Sequence, residues 1–190
     1  MTLETDPTDT VEIQNVVGAG DLEREVDLAT LASDLNGADY QPSNFSGLLY
    51  QAPDHEATVM VFESGKATVT GATSTSEMRT AFEHFVTIVR DLGVSVEGSP
   101  EITVQNIVAT ADLDEQLNLS PVAIGLGLEQ TEYEPEQFPG LVYRLDSPTV
   151  VVLLFGSGKL VMAGATERTT LETVVATVAE QLADLSLLAD

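Results

Sequence analysis

The feature that most constrains this chain is that it is written twice. Tyr40 to Tyr50 reads YQPSNFSGLLY, and Tyr133 to Tyr143 reads YEPEQFPGLVY, 93 residues later. The same offset joins VFESGKATVTGAT (61–73) to LFGSGKLVMAGAT (154–166), and an offset of 91 joins IQNVV (13–17) to VQNIV (104–108). The two extra residues fall where GLEQTEY replaces NGADY, before Tyr133. A period of this kind means one structural unit used twice. The boundaries read as an acidic tail over 1–10, a first repeat over 11–97 and a second over 98–188, with a turn-rich break at GSPE (98–101). The two repeats are expected to form one continuous domain.

Each repeat has the same predicted order. VEIQNVVGA is a β-branched run and reads as a strand. DLATLASDL places Leu28, Leu31, Ala32 and Leu35 at helical spacing. FSGLLYQA, ATVMVFE and KATVTGA, separated by the turns PDHE and ESG, read as an antiparallel meander. SEMRTAFEHFVTIVRDL then reads as a long helix with Met78, Phe82, Phe85, Ile88, Val89 and Leu92 on its apolar face. Ser76 is a candidate N-cap and Gly93 a suitable residue just beyond the C-terminus. The second repeat ends in a helix over about 167–185. The fold class is therefore α+β: strand, short helix, three or four strands, long helix, twice over, with one antiparallel sheet about a pseudo-two-fold axis.

The third strand of each repeat has too many apolar residues for a sheet with one face in water. Thr58-Val59-Met60-Val61-Phe62 and Val150-Val151-Val152-Leu153-Leu154-Phe155 do not alternate, although a half-solvated antiparallel strand should. The long helices can cover one face, and no further element is left for the other. An apolar face without internal cover marks a binding surface. By parity, Phe62, Met60 and Thr58 share that face, as do Phe155, Leu153 and Val151. Asn15 with Val17 and Asn106 with Val108 occupy equivalent places on the first strands. Asn is locally unfavourable in a strand, so the pair reads either as functional amides or as caps of a bulge in each repeat.

Charge adds a second constraint. Seven Lys and Arg stand against 31 Asp and Glu, a formal net charge of −24. Such a chain repels itself in dilute salt. At 1 M salt the Debye length is only about 3 Å and the repulsion is screened. The 43% hydrophobic content argues against a disordered acidic chain, so the composition reads as that of a protein from a salt-rich cytosol. Three of the few cations, Lys66, Lys159 and Arg144, lie on sheet segments, as a face for an anionic ligand would require; solvated turn residues are the plainer reading of the lysines. There is no Cys, no signal-peptide pattern and no apolar run of the roughly 20 residues that a membrane helix needs.

Two other classes fit the chain less well. An enzyme finds little support: His55 and His84 are the only histidines, neither has a counterpart in the other repeat, and there is no phosphate-cradling loop or metal-ligand spacing. No catalytic residue, metal or cofactor is expected. A lipid or small-ligand carrier would explain the phenylalanines but not the doubled Asn or the Lys after each hairpin.

The doubled set QN(I/V)V, Y-x-P-x-x-F-x-G-L-x-Y, F-x-S-G-K and G-A-T resembles the TATA-box-binding protein family of archaea and eukaryotes, from about Val11 to Leu185, in a form suited to a halophilic archaeon. The resemblance implies a saddle: a curved ten-stranded antiparallel sheet with four helices on its convex side. It implies a general transcription factor that binds the minor groove of promoter DNA, with apolar wedges that kink the duplex; this family is itself the standing example of that mode. Phe45 with Phe62 and Phe138 with Phe155 would be the wedges. Asn15 and Asn106 would reach base acceptors. Val17, Val108, Met60, Leu153, Ser46, Pro139, Thr68, Thr70, Val161 and Ala163 would line the same surface, and Lys66, Lys159 and Arg144 would meet phosphates. Tyr133, Glu134 and Glu136 would dock a TFIIB-like initiation factor, which brings RNA polymerase. The expected partners are thus A·T-rich double-stranded DNA and that factor, with RNA polymerase reached indirectly and no membrane; a weak homodimer without DNA stays open. The implied location is the nucleoid of a salt-rich archaeal cytoplasm.

The departures from the family are informative. Ala163 stands where Thr is usual, Gln51 where a basic residue is usual, and Thr73 and Thr166 where Lys is frequent. Fewer phosphate contacts imply a weak or inverted dependence of DNA binding on salt.

Overall fold

The computed structural model describes residues 6–51 and 56–188. Ten strands carry the fold: β1 (Glu12–Asp21), β2 (Ala38–Tyr40), β3 (Leu48–Gln51), β4 (Thr58–Val61), β5 (Lys66–Ala72), β6 (Ile102–Asp112), β7 (Thr131–Glu132), β8 (Leu141–Asp146), β9 (Thr149–Leu154) and β10 (Lys159–Ala165). Four α-helices are interleaved: α1 (Leu28–Asp34), α2 (Thr75–Asp91), α3 (Leu119–Leu126) and α4 (Arg168–Asp184). The strands pair in the order β2-β3-β4-β5-β1-β6-β10-β9-β8-β7 as one antiparallel sheet. The α+β class read from the sequence, with ten antiparallel strands and four helices, is the class observed. The chain divides into two compact units, an N-repeat unit of Asn15–Gln105 and a C-repeat unit of Met1–Gln14 with Asn106–Asp190.

Within the N-repeat unit, one face of the sheet is closed by α2. Val16, Val59, Val61, Ala67, Val69 and Ala72 alternate into the core, where Met78, Phe82 and Phe85 are fully buried. Truncating such a Phe typically costs about 3–5 kcal/mol. The helix comes close because β1 offers glycine: a Cβ on Gly18 would lie 2.3 Å from Met78 Sδ, and one on Gly20 would lie 2.7 Å from the Phe82 ring. The C-repeat unit reaches a buried core with the volumes exchanged. Ala109 and Ala111 stand at the glycine positions, and Leu171 and Val175 at those of Met78 and Phe82; all four are buried. The buried face of α2 differs from the sequence reading. Ala81 and Val86 are buried, whereas Leu92, the C-cap where the helix ends, is 38% exposed. The N-cap is Ser74 rather than Ser76, with its hydroxyl accepting from Glu77 N–H at 3.0 Å. Glu77 reaches back to the Thr73 N–H at 2.8 Å, so the turn is closed from both sides. Gly93, at φ +90°, takes the left-handed position after the helix.

The described residues up to Gln14 belong to the C-repeat unit. Of residues 1–10, read as an acidic tail, Pro7–Thr10 form a 3-10 helix with Pro7 buried. Thr10 Oγ1 accepts from Asp112 N–H at 2.8 Å, and Arg168 donates to the Val11 carbonyl at 3.0 Å. The turn over 53–55, with His55, lies outside the described residues.

The two F-x-S-G-K hairpins are fixed by their glycines. Phe62 N–H donates to Lys66 O at 2.9 Å and Phe155 N–H to Lys159 O at 3.0 Å. Gly65 and Gly158 have φ of +83° and +86°, and a Cβ there would lie 1.9 Å from Arg24 O and 2.1 Å from Glu115 O. Gly65→Ala therefore combines backbone strain with a backbone collision, whereas Gly98 (φ +64°) has nothing within 4 Å. Denaturant unfolding in molar KCl should show a loss of about 3 kcal/mol for Gly65→Ala and about 1 kcal/mol for Gly98→Ala. Equal losses would rule out the collision.

Candidate functional site

Strand pairing places the second face of each unit's sheet side chain by side chain. In the N-repeat unit, Asp39, Leu49, Met60, Thr68 and Ala19 are in cross-strand register, and Gln51, Thr58 and Thr70 form the next row toward Val17. In the C-repeat unit the rows are Glu132, Val142, Leu153, Val161, Thr110 and Arg144, Val151, Ala163, Val108. The apolar members of these rows are partly exposed, while their neighbours of opposite parity, such as Val59, Val61, Val152 and Leu154, are buried. Each unit thus carries an apolar face that no described element covers. Leu49 and Val142 belong to this face and were missed in the sequence. Their register with Met60 and Leu153 was the signal that could have found them.

At one end of each face stands an aromatic pair. Phe45 and Phe62 meet edge to face with ring centroids 5.7 Å apart, and Phe138 and Phe155 do so at 5.9 Å. Phe45 is 38% and Phe138 39% exposed, a costly state for a ring unless something covers it. The first ring of each pair comes from a turn closed by Phe45 N–H to Gln41 O and Phe138 N–H to Glu134 O, both 3.0 Å. The motif glycine explains the pairing. A Cβ on Gly47 would lie 2.7 Å from the Phe45 ring, and one on Gly140 2.6 Å from the Phe138 ring and 3.0 Å from Phe155. The rings lie over a bare backbone, which is why F-x-G recurs. Ser46 and Pro139, between ring and glycine, are exposed.

The doubled asparagines have a structural task that leaves a second one free. Asn15 Oδ1 accepts the Gly71 N–H at 2.7 Å, and Asn106 Oδ1 accepts the Gly164 N–H at 2.7 Å. Both glycines lie at irregularities of the ladder, β5 against β1 and β10 against β6, with φ of +84° and +116°. The bulge reading of these residues is therefore met. An N–H donor needs the carbonyl oxygen, so each bond also fixes which way the carboxamide points and sends its NH₂ the other way. In the N-repeat unit that NH₂ lies 3.3 Å from Thr70 Oγ1; at Ala163 there is no hydroxyl to meet.

The cations of the face are each matched by acid. Lys66 Nζ lies 3.2 Å from Asp21, and Arg144 lies 3.7 Å from Glu132. Lys159 stands opposite Asp112 in the ladder. The Asp21 carboxyl is held below its usual value, first by the Glu23 N–H and then by Lys66. Along the registered rows the N-repeat unit has one cation, Lys66, and two carboxylates, Asp21 and Asp39, and the C-repeat unit has two cations, Arg144 and Lys159, and three carboxylates, Asp112, Glu132 and Asp146. On a chain of net charge −24 that is a nearly neutral surface. Other cations are used structurally: Arg90 donates to Val96 O at 3.0 Å and Arg168 pairs with Glu172 at 2.7 Å.

Tyr133 is partly exposed, and Glu134 and Glu136 are exposed, in the turn before Phe138. Glu134 also holds the Gln137 amide. His84 is exposed on α2. Among the described residues no group of three or more His, Asp or Glu is placed to hold a metal, and no helix is long and apolar enough to cross a membrane.

Comparison with known proteins agrees with this geometry. The family described as "Transcription factor TFIID (or TATA-binding protein, TBP)" matches the chain twice, over residues 10–92 and 101–185. The chain is 52% identical over 184 residues to TATA-box-binding protein 1 of Haloferax volcanii, covering 97% of each. It is 51% identical over 183 residues to the TATA-box-binding protein of Haloarcula marismortui, covering 96% of this chain and 98% of that one. Among solved structures, Methanococcus jannaschii TBP superposes with a TM-score of 0.83 at 41% identity, over 92% of this chain and 98% of that one. With a doubled family match and relatives of this identity along nearly its whole length, the chain belongs to the TATA-box-binding protein family, a family of transcription factors rather than enzymes.

Proposed function

We propose that the protein binds A·T-rich promoter DNA through the minor groove, bends it, and recruits a TFIIB-like initiation factor and thereby RNA polymerase. The observation that carries this reading is the pair of uncovered apolar faces, each with an edge-to-face phenylalanine pair at one end and an oriented asparagine NH₂ on β1 or β6. Family membership gives it direction. The minor groove shows A N3 and T O2 acceptors alike for A·T and T·A. Asn15 and Asn106 supply donors to them, and Val17, Val108, Met60, Leu153, Thr68, Thr70, Val161 and Ala163 follow the groove floor. Phe45, Phe62, Phe138 and Phe155 enter base steps, and Lys66, Lys159 and Arg144 approach phosphates. Such a factor works on the chromosome inside the cell. A carrier reading would need an enclosed cavity, and these faces are open.

The first experiment is binding and fluorescence-reported bending of an A·T-rich duplex and a G·C-rich control in KCl stepped from dilute to multimolar. Selective, bent complexes at high salt support the reading; a folded protein that distinguishes nothing overturns it. Because each face cation already has a carboxylate beside it, binding exchanges one partner for another and releases few counterions. The slope of log K against log salt should be flat or positive; a slope near about −5 would contradict this.

Gly140→Ala should push Phe138 off its seat and weaken bending about tenfold, by misplacing two wedges, with the unfolding midpoint moved less than by Phe82→Ala. An unchanged bend angle would separate the glycine from ring placement. Glu134→Gln with Glu136→Gln should reduce capture of the initiation factor on the DNA complex while leaving DNA affinity within about twofold, as rim charges do. Equal capture would remove this turn from the factor's contacts.

A further inference from the structure

The two faces match in shape and differ in hydrogen bonding. At registered positions the N-repeat unit has Gln51, Thr58, Thr68 and Thr70 where the C-repeat unit has Arg144, Val151, Val161 and Ala163. Thr58 against Val151 and Thr68 against Val161 exchange a hydroxyl for a methyl at nearly constant shape. Thr58 and Thr68 are partly exposed and their hydroxyls make no hydrogen bond among the described residues. A hydroxyl carries two acceptor lone pairs, valine none, and a guanidinium has only donors. Each face also keeps one hydroxyl that already accepts, Thr110 Oγ1 from Gln14 Nε2 at 3.0 Å and Thr70 Oγ1 from Asn15 Nδ2 at 3.3 Å, so Thr58 and Thr68 are the hydroxyls that set the faces apart.

In the minor groove a G·C pair differs from A·T by one group, the guanine N2 amino donor. Against the C-repeat face that donor would lose water and meet aliphatic carbon or the cation of Arg144. Against the N-repeat face it meets the oxygens of Thr58 and Thr68. We propose that Thr58 and Thr68 make the N-repeat unit tolerant of a G·C pair while the C-repeat unit, with Val151 and Val161 in their places, accepts only A·T, so that a single G·C pair sets the direction in which the protein sits on its site. This rests on the minor-groove reading above. Leaving a buried donor unpaired lowers affinity by about tenfold or more, whereas the tolerated placement changes it by less than about threefold.

The chain has no Cys, so Ser64→Cys and Ser157→Cys in the two exposed hairpins can each carry a DNA-cleaving reagent. On a palindromic A·T duplex both variants should cut both halves equally. With one G·C pair, stepped through one half, Ser64→Cys should cut the half with G·C and Ser157→Cys the other. G·C in both halves should cost about tenfold. Replacing guanine by inosine, which lacks the amino group, should restore symmetric cutting, and diaminopurine opposite T should reproduce the bias. Thr58→Val with Thr68→Val should abolish the tolerance, read as the ratio of single-G·C to all-A·T affinity within the same variant. Symmetric cutting of the single-G·C duplex, or tolerance unchanged in that variant, overturns the proposal with the minor-groove reading intact. Failure of the folded protein to bind the all-A·T duplex overturns both.

Discussion

The hydrogen bond from a bulge glycine N–H to an asparagine side chain, Gly71 to Asn15 and Gly164 to Asn106, is the contact on which each face depends. A strand has a period of two, and a one-residue slip would turn every apolar side chain of β5 or β10 over. The bulge changes register at one place only, and the carboxamide occupies the N–H that the bulge leaves without a ladder partner. Below it, Ala67, Val69 and Ala72 stay buried; above it, Thr68 and Thr70 stay open. The same bond orients the amide NH₂. One interaction thus sets core parity, face parity and the direction of a donor, and this is why asparagine recurs in a strand where its propensity is poor.

The phenylalanine pairs rest on a similar economy of space. Gly47 and Gly140 are buried although the rings above them are not. A partly exposed aromatic ring is ordinarily unfavourable surface. Here it is held in place by a backbone turn and a partner ring, so little conformational freedom remains to be lost in any contact it makes. Charge follows a complementary logic. The protein concentrates its acid away from the faces, pairs Lys66 with Asp21 and Arg144 with Glu132, and sets Lys159 opposite Asp112 in the ladder. A surface of that kind meets a polyanion without the strong long-range attraction of a basic groove, and that suits a solvent in which long-range attraction is already screened.

Much of this was legible in the sequence because repetition and parity are local signals. Phe62 with Met60 and Phe155 with Leu153 could be assigned to one face from spacing alone, and the repeat made each assignment twice. Other features were not legible. Ser74 and Ser76 are equally good caps by residue type, and only the reach of Glu77 to Thr73 chooses between them. The buried stripe of α2 passes through Ala81 and Val86 rather than Leu92, because the sheet presents Gly18 and Gly20 to it. The short strands β2 and β7 carry too few residues to show alternation. They exist because β3 and β8 offer open edges. Leu49 and Val142 were invisible as face residues until pairing put them beside Met60 and Leu153.

The sequence by itself determined the doubled architecture, the alternation that leaves one face without cover, and the family, since each is carried by residue identities at fixed spacing. Only the tertiary structure decided that each doubled asparagine caps a bulge with its oxygen and turns its NH₂ the other way, that each phenylalanine ring seats on a glycine, that a carboxylate neighbours each face cation, and that one unit carries threonines where the other carries valines. Those facts depend on which residues become neighbours across strands, and cross-strand neighbourhood is set by register and bulges, which a linear spacing cannot contain.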